Sequence, residues 1–174
     1  MRKLATILVA ASGLCCLESE PPIDNEYVAS NLLSSTPSPL VPLAADFGGK
    51  VLYLGADIDK QSLEPGAVVG VTHYWQVQSP PGGDFRIFTH LEGTTPKDWV
   101  NADGTKMRSN HGPDRWKTGE VIRDEHKITL PKDWSSPVAI LYVGLYRKGG
   151  SGIADRMEIV KGTDDGKRRL VVSR

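Results

Sequence analysis

From Phe47 onward, apolar and polar residues alternate. In residues 119–131, GEVIRDEHKITLP, one face carries Ile122, Asp124, His126, Ile128 and Leu130; the other carries Val121, Arg123, Glu125, Lys127 and Thr129. A period of two marks a β-strand with one side on a core and one on water. In 67–78, AVVGVTHYWQVQ, the residues Val71, His73, Trp75 and Val77 share a face. In 84–93, DFRIFTHLEG, Arg86, Phe88 and His90 oppose Phe85, Ile87, Thr89 and Leu91. Further strands are predicted at 50–58, 97–104, 137–147, 153–160 and 167–174, punctuated by EPG, SPPGG and TDDG. AILYVGLY is apolar on both faces and predicts a central strand. No helical period of ten or more residues interrupts this region. The pattern predicts an all-β fold, a two-sheet antiparallel sandwich of seven or eight strands spanning 47–174.

The pattern before Phe47 is different. MRKLATILVAASGLCC has a basic start at Arg2 and Lys3, a short apolar run from Leu4 to Ala11, and small residues after it. That is the layout of a secretory signal over residues 1–17, and the apolar run is too short to span a membrane. Cys15 and Cys16, the two cysteines of the chain, follow directly. A cysteine at this point resembles the lipid-modified residue of bacterial lipoproteins, which makes Cys16 or Cys15 the candidate for lipidation. The match to that pattern is partial, and cleavage after Ala11-Ser12-Gly13 is the alternative. Either way the domain folds without an internal disulfide. Residues 18–46 are rich in Pro and Ser and predict an extended tether. Within it DNEYVASNLL suits a short helix capped by Asp24, which is marginal unless it docks on the domain.

Composition narrows the function classes. Formal net charge is zero, which gives no electrostatic footprint for nucleic acid. At 39% hydrophobic residues, the chain supports one core and no integral membrane bundle. Membrane contact is expected only through a signal-derived lipid anchor.

The candidate chemistry starts from the inward Asp124 and His126. His73 and His90 are possible partners in one polar cluster. Imidazole and carboxylate suit zinc or a similar ion, but the spacing matches no short ligand signature. No serine or cysteine lies on these strands to act as a nucleophile. The preferred reading is a structural polar pair, with no metal, no cofactor and no catalytic residue; a metal-dependent enzyme is the alternative. Trp75 belongs to the core by alternation. Trp99, Trp116 and Trp134 fall at strand ends or in loops, where they either stack on sugar rings or plug the sandwich. PDRWKTGE suits a loop pinned by its Trp. NADGT offers Asn101 and Asp103 as oxygen ligands but lacks the other acidic positions of a calcium loop, so a turn is preferred. KRR at 167–169 suits a solvated edge strand.

The segments LEPGAVVGVTHYWQV, FRIFTHLEG, WKTGEVIRDEHKITLP, LYVGLYR and DGKRRLVV, in this order, carry a resemblance. Over residues 48–174 the chain resembles an immunoglobulin-like sandwich domain at the C-terminal end of some bacterial membrane glycosyltransferases of the protein-mannosyltransferase type. The catalytic membrane part of those enzymes has no counterpart here, so glycosyl transfer is not implied. The resemblance implies an exported, non-catalytic module of the periplasm or outer envelope, with a polysaccharide or an envelope protein as partner. A purely structural interaction protein is a further alternative.

Overall fold

The computed structural model describes residues 22–59 and 62–174; the predicted signal segment and both cysteines lie outside them. Ten strands and two short α-helices follow one another. They are α1 (Asn25–Asn31), β1 (Leu32–Leu33), β2 (Val41–Phe47), β3 (Val51–Ile58), β4 (Val68–Val77), β5 (Phe85–Glu92), β6 (Trp99–Asn101), α2 (Lys106–Asn110), β7 (Val121–Thr129), β8 (Ile140–Arg147), β9 (Ile159–Lys161) and β10 (Leu170–Ser173). One antiparallel sheet has the order β1-β7-β4-β3-β2-β9 and the other β10-β8-β5-β6. The run β3-β4-β7 facing β10-β8-β5-β6 is the strand arrangement of an immunoglobulin-like sandwich. No helix among the described residues is long and apolar enough to cross a membrane.

The core follows from the alternation. Val71, His73, Trp75 and Val77 of β4 are all buried, as are Ile122, Asp124 and Ile128 of β7. They face Ile87, Thr89 and Leu91 of β5 and Leu141, Val143 and Leu145 of β8, which are buried too. β8 lies between β10 and β5, the central position that its two apolar faces predict. Trp75 packs between Phe47, Tyr53 and Trp116, with ring centroids 5.9, 4.7 and 5.8 Å away. In β3 the alternation slips at Gly55, where a bulge shifts the register against β4. Gly55 has φ 139°, and a Cβ there would stand 2.1 Å from the Val41 carbonyl oxygen, so only glycine fits.

Several expectations need correction. The segment 18–46 is no free tether where it is described. Its helix α1 is capped by the Asp24 side chain, which accepts the Tyr27 N–H. The helix docks on α2 through Lys106 to Asp24 at 2.8 Å, and Lys106 also stands over the Tyr27 ring. Leu32 and Leu33 then pair with β7, and residues 41–46 form most of β2. Apolar positions between the prolines find pairing partners, and that outweighs the composition. The strand count rises from the expected seven or eight to ten because β1 and β2 form ahead of the first predicted strand. The predicted strand 153–160 divides into a 3-10 turn at Ile153–Asp155 and the start of β9. Arg169 is not solvated: it is buried over the Tyr142 ring and paired with Glu92 and Asp165.

Candidate functional site

Two polar assemblies stand out, one inside the sandwich and one on its outer surface. The inner one begins at β7. Asp124 and His126 occupy the same alternate positions as Ile122 and Ile128, so the strand turns them inward. Asp124 is 1% exposed. Its oxygens accept hydrogen bonds from Thr105 Oγ1 at 2.6 Å and Arg108 Nε at 2.7 Å. Both partners come from α2 and its cap. The Thr105 hydroxyl also accepts the Arg108 N–H at 3.0 Å, which starts the helix. Arg108 Nη1 donates to the Asp103 carbonyl at 3.0 Å. The helix therefore delivers one guanidinium to one buried carboxylate.

His126 belongs to a separate chain. Tyr53 Oη lies 2.6 Å from His73 Nδ1, and His73 Nε2 lies 3.2 Å from His126 Nε2. Burial pushes the Tyr53 phenol well above its usual range, so its O–H stays protonated and donates to His73. His73 then donates from Nε2–H to His126, which keeps its proton on Nδ1, available to the Ala102 carbonyl beside it. Burial also holds both imidazoles neutral. His73 lies well below its ordinary range, helped by the neighbouring His126 and Arg108. His126 is lowered to about 4 by burial and by Arg108, against the opposing Asp124 charge.

The expected pair of Asp124 and His126 shares no hydrogen bond. Residues two apart on a strand point the same way but stand about 7 Å apart along it, and each meets its own partner. Asp124 takes α2; His126 takes His73. Among the described residues no group of three or more His, Cys, Asp or Glu is placed to hold a metal ion. The acceptor oxygens of Asp124 are occupied, and the two histidines bond to one another. This arrangement cross-links β3, β4, β7 and α2 through the core.

His90 lies elsewhere. It sits on the outward side of β5, with its ring 5.1 Å from Phe88 and 5.4 Å from Trp99. It is separated from His73 by the sheet itself, because odd positions of β5 are the ones that face the core. The fourth histidine, His111, bonds Glu120 at 2.8 Å in the loop before β7.

The tryptophans divide as well. Trp116 is 4% exposed, tilted against Trp75, with its indole N–H on the His111 carbonyl at 3.0 Å. Trp134 is buried, with its N–H on the Ser136 carbonyl at 2.8 Å. Neither offers a ring face to a ligand; each plugs an end of the sandwich. Trp99 is 46% exposed on β6.

Trp99 opens the outer assembly. Across the outward face of the four-stranded sheet run Trp99, His90, Phe88 and Tyr146, with successive ring centroids 5.4, 5.1 and 6.2 Å apart. The Arg156 guanidinium lies 5.0 Å over Phe88. A depression of about 190 Å³ is lined by Phe88, His90, Asp103, Tyr146, Ser151 and Arg156 among others. His90 Nδ1 has no hydrogen-bond partner, and burial lowers the His90 pKa against the nearby Asp103. Phe88 is buried beneath Arg156, so stacking falls to Trp99 and the partly buried Tyr146, beside one carboxylate and one guanidinium for hydroxyl recognition. Alternation put Phe88 and His90 on one face in the sequence. Nothing there linked them to Arg156, which arrives from the turn after β8.

No known protein family, curated protein or solved structure matches this chain.

Proposed function

We propose that the chain is a non-catalytic, exported binding module of the cell envelope that engages carbohydrate on the outward face of its four-stranded sheet. The observation that carries this is the row from exposed Trp99 to Tyr146, bordered by Asp103 and Arg156. A sugar ring presents an apolar C–H face and a rim of hydroxyls. Trp99 suits the first; Asp103, which already accepts from the Thr89 N–H and the Asn101 amide, and Arg156, which already donates to the Lys167 carbonyl, meet the second with their remaining lone pairs and N–H groups. The inner cluster, in which Asp124 pairs with Thr105 and Arg108 and His126 with His73, supports a structural role for Asp124 and His126 beside this binding role. Export rests on the N-terminal pattern of Arg2-Lys3, the apolar run and the Cys15-Cys16 pair, and the mass of the native protein tests it directly.

A glycan array probed with the full protein tests the binding role, followed by titration of the best oligosaccharide against Trp99→Ala and Tyr146→Ala. Each variant is expected to weaken binding about tenfold or more, as loss of a stacking ring does, and to keep the parent melting temperature. Unaltered affinity in both variants, or no binding on the array, rejects the reading.

A further inference from the structure

A second cavity opens at the edge of the core between the two sheets, distinct from the aromatic face. Its volume is about 600 Å³, within the range of small-molecule sites. The inner walls are Val69 and Val71 from β4, Leu91 from β5 and Leu141 from β8, all core residues that are almost fully buried. Ile58, Leu63 and Ala139 continue the apolar lining outward. Because those four are under 8% exposed, the opening meets only their edges, and most of its accessible lining comes from the more exposed residues around them.

Its rim is built to stay apolar. Leu40 is 77% exposed and Val138 48%, and both border the opening. Water disfavours such side chains, yet Leu40 is fastened in place. Its backbone N–H donates to Asp57 Oδ1 at 2.7 Å, and the other Asp57 oxygen accepts the Tyr74 hydroxyl at 2.8 Å. A tied exposed leucine over an apolar cavity is what a ligand with a hydrocarbon part would need at the entrance. The described lining is aliphatic throughout, from Leu, Val, Ile, Ala and Pro, with Asp59, Ser173 and Arg174 the polar members. Among the described residues no aromatic ring lines it to stack a planar ligand.

We infer that this cavity is a binding site for the aliphatic chain of an amphiphile, inserted between the sheets past Leu40 and Val138 with its polar head left at the rim. The shape favours a flexible chain over a rigid ring system, because the walls are branched aliphatic side chains that pack along methylenes. The source of the chain is either a free fatty acid or the acyl chain of a membrane lipid.

The test uses the full protein and dodecanoate and dodecanol as probes, measured by isothermal titration calorimetry. Saturable binding of one chain per protein, with a negative heat-capacity change, is expected for both probes. Ala139→Trp fills the cavity from its outer wall without altering a core strand, and is expected to weaken binding at least tenfold with the melting temperature kept. Leu40→Ser at the exposed rim is a second variant, expected to weaken binding severalfold; Trp99→Ala is expected to leave it unchanged, which separates this site from the carbohydrate face. Transfer of a labelled lipid from phosphatidylcholine vesicles would assign the source to membranes, and binding only of monomeric dodecanoate would assign it to free fatty acid. The inference is overturned by absence of saturable binding of either probe, or by binding that Ala139→Trp leaves intact.

Discussion

Replacing Asp124 is expected to be among the most costly single changes in the domain. The carboxylate is almost fully buried, and the Arg108 side chain is only 7% exposed. Asp124→Val leaves that guanidinium in the core with its Nε unpaired. Breaking one side of a buried ion pair costs about 3–5 kcal/mol. For a domain of this size each kcal/mol lowers Tm by about 2–4 °C, so a fall of about 6–20 °C is expected. Arg108→Met should cost a similar amount, because it strands the carboxylate with Thr105 alone. The double variant Asp124→Val/Arg108→Met removes both charges and leaves an apolar contact between β7 and α2. Exchanges of this kind are often neutral or stabilising, so the double variant should be far more stable than the sum of the singles predicts. The assay is urea unfolding followed by circular dichroism, arranged as a double-mutant cycle. A coupling energy of about 3 kcal/mol or more is expected. Asp124→Val with His126→Ala should couple by less than about 1 kcal/mol, since the two share no hydrogen bond. Two results would refute the reasoning: single variants that each lose under about 1 kcal/mol, or a stronger coupling of Asp124 to His126 than to Arg108.

Two further outcomes follow from the same core. Between pH 6.5 and about 4 the unfolded chain binds protons that folded His126 and His73 refuse, so stability is present above pH 6.5 and falls as pH drops through this window. For His126 alone the loss is about 3 kcal/mol, and urea midpoints of His126→Gln measured across this range should show a shallower fall than the parent; an equal slope would reject the assignment. Trp75→Ala should cost about 3–5 kcal/mol as a large core deletion, and Trp116→Ala about as much because it uncovers Trp75, with neither changing carbohydrate affinity in calorimetry; a loss below about 1 kcal/mol for Trp75 would contradict its place between Phe47, Tyr53 and Trp116.

Much of the frame was readable because alternation is a local property. The face of β4 with Val71, His73, Trp75 and Val77, and that of β7 with Ile122, Asp124, His126 and Ile128, follow from a period of two once the strands are found. The partners of Asp124 were not readable. Thr105 and Arg108 lie on a five-residue helix, too short to show a helical period, and nothing local says that it packs on β7. β2 was hidden for another reason. Pro42 argues against a paired strand, but β9 meets β2 only at Asp46 and Phe47. The Pro42 end is thus an open edge, where a missing N–H does no harm. The tryptophans show the limit most clearly. Trp99, Trp116 and Trp134 have similar local settings, and only the three-dimensional packing separates one exposed ring from two buried plugs.

The opening between the sheets and the polar cluster have a common physical origin. A sandwich with six strands on one side and four on the other cannot cover every inner face with strand. Beyond the short β6, the inner face of β7 needs another cover, and α2 supplies it. Its contact is polar: a carboxylate on the strand meets a guanidinium on the helix, and that pairing admits fewer alternative registers than a purely apolar contact would. Toward the other end the lining of Val69, Val71, Leu91 and Leu141 meets no such helix, and the gap stays open and aliphatic. Filling that gap with Ala139→Trp should therefore raise stability or leave it unchanged, whereas removing the charge at the polar end by Asp124→Val should lower it sharply, because Arg108 is left unpaired. Tolerance of added volume at one end and intolerance of a lost charge partner at the other are what distinguish an open cavity from a satisfied contact.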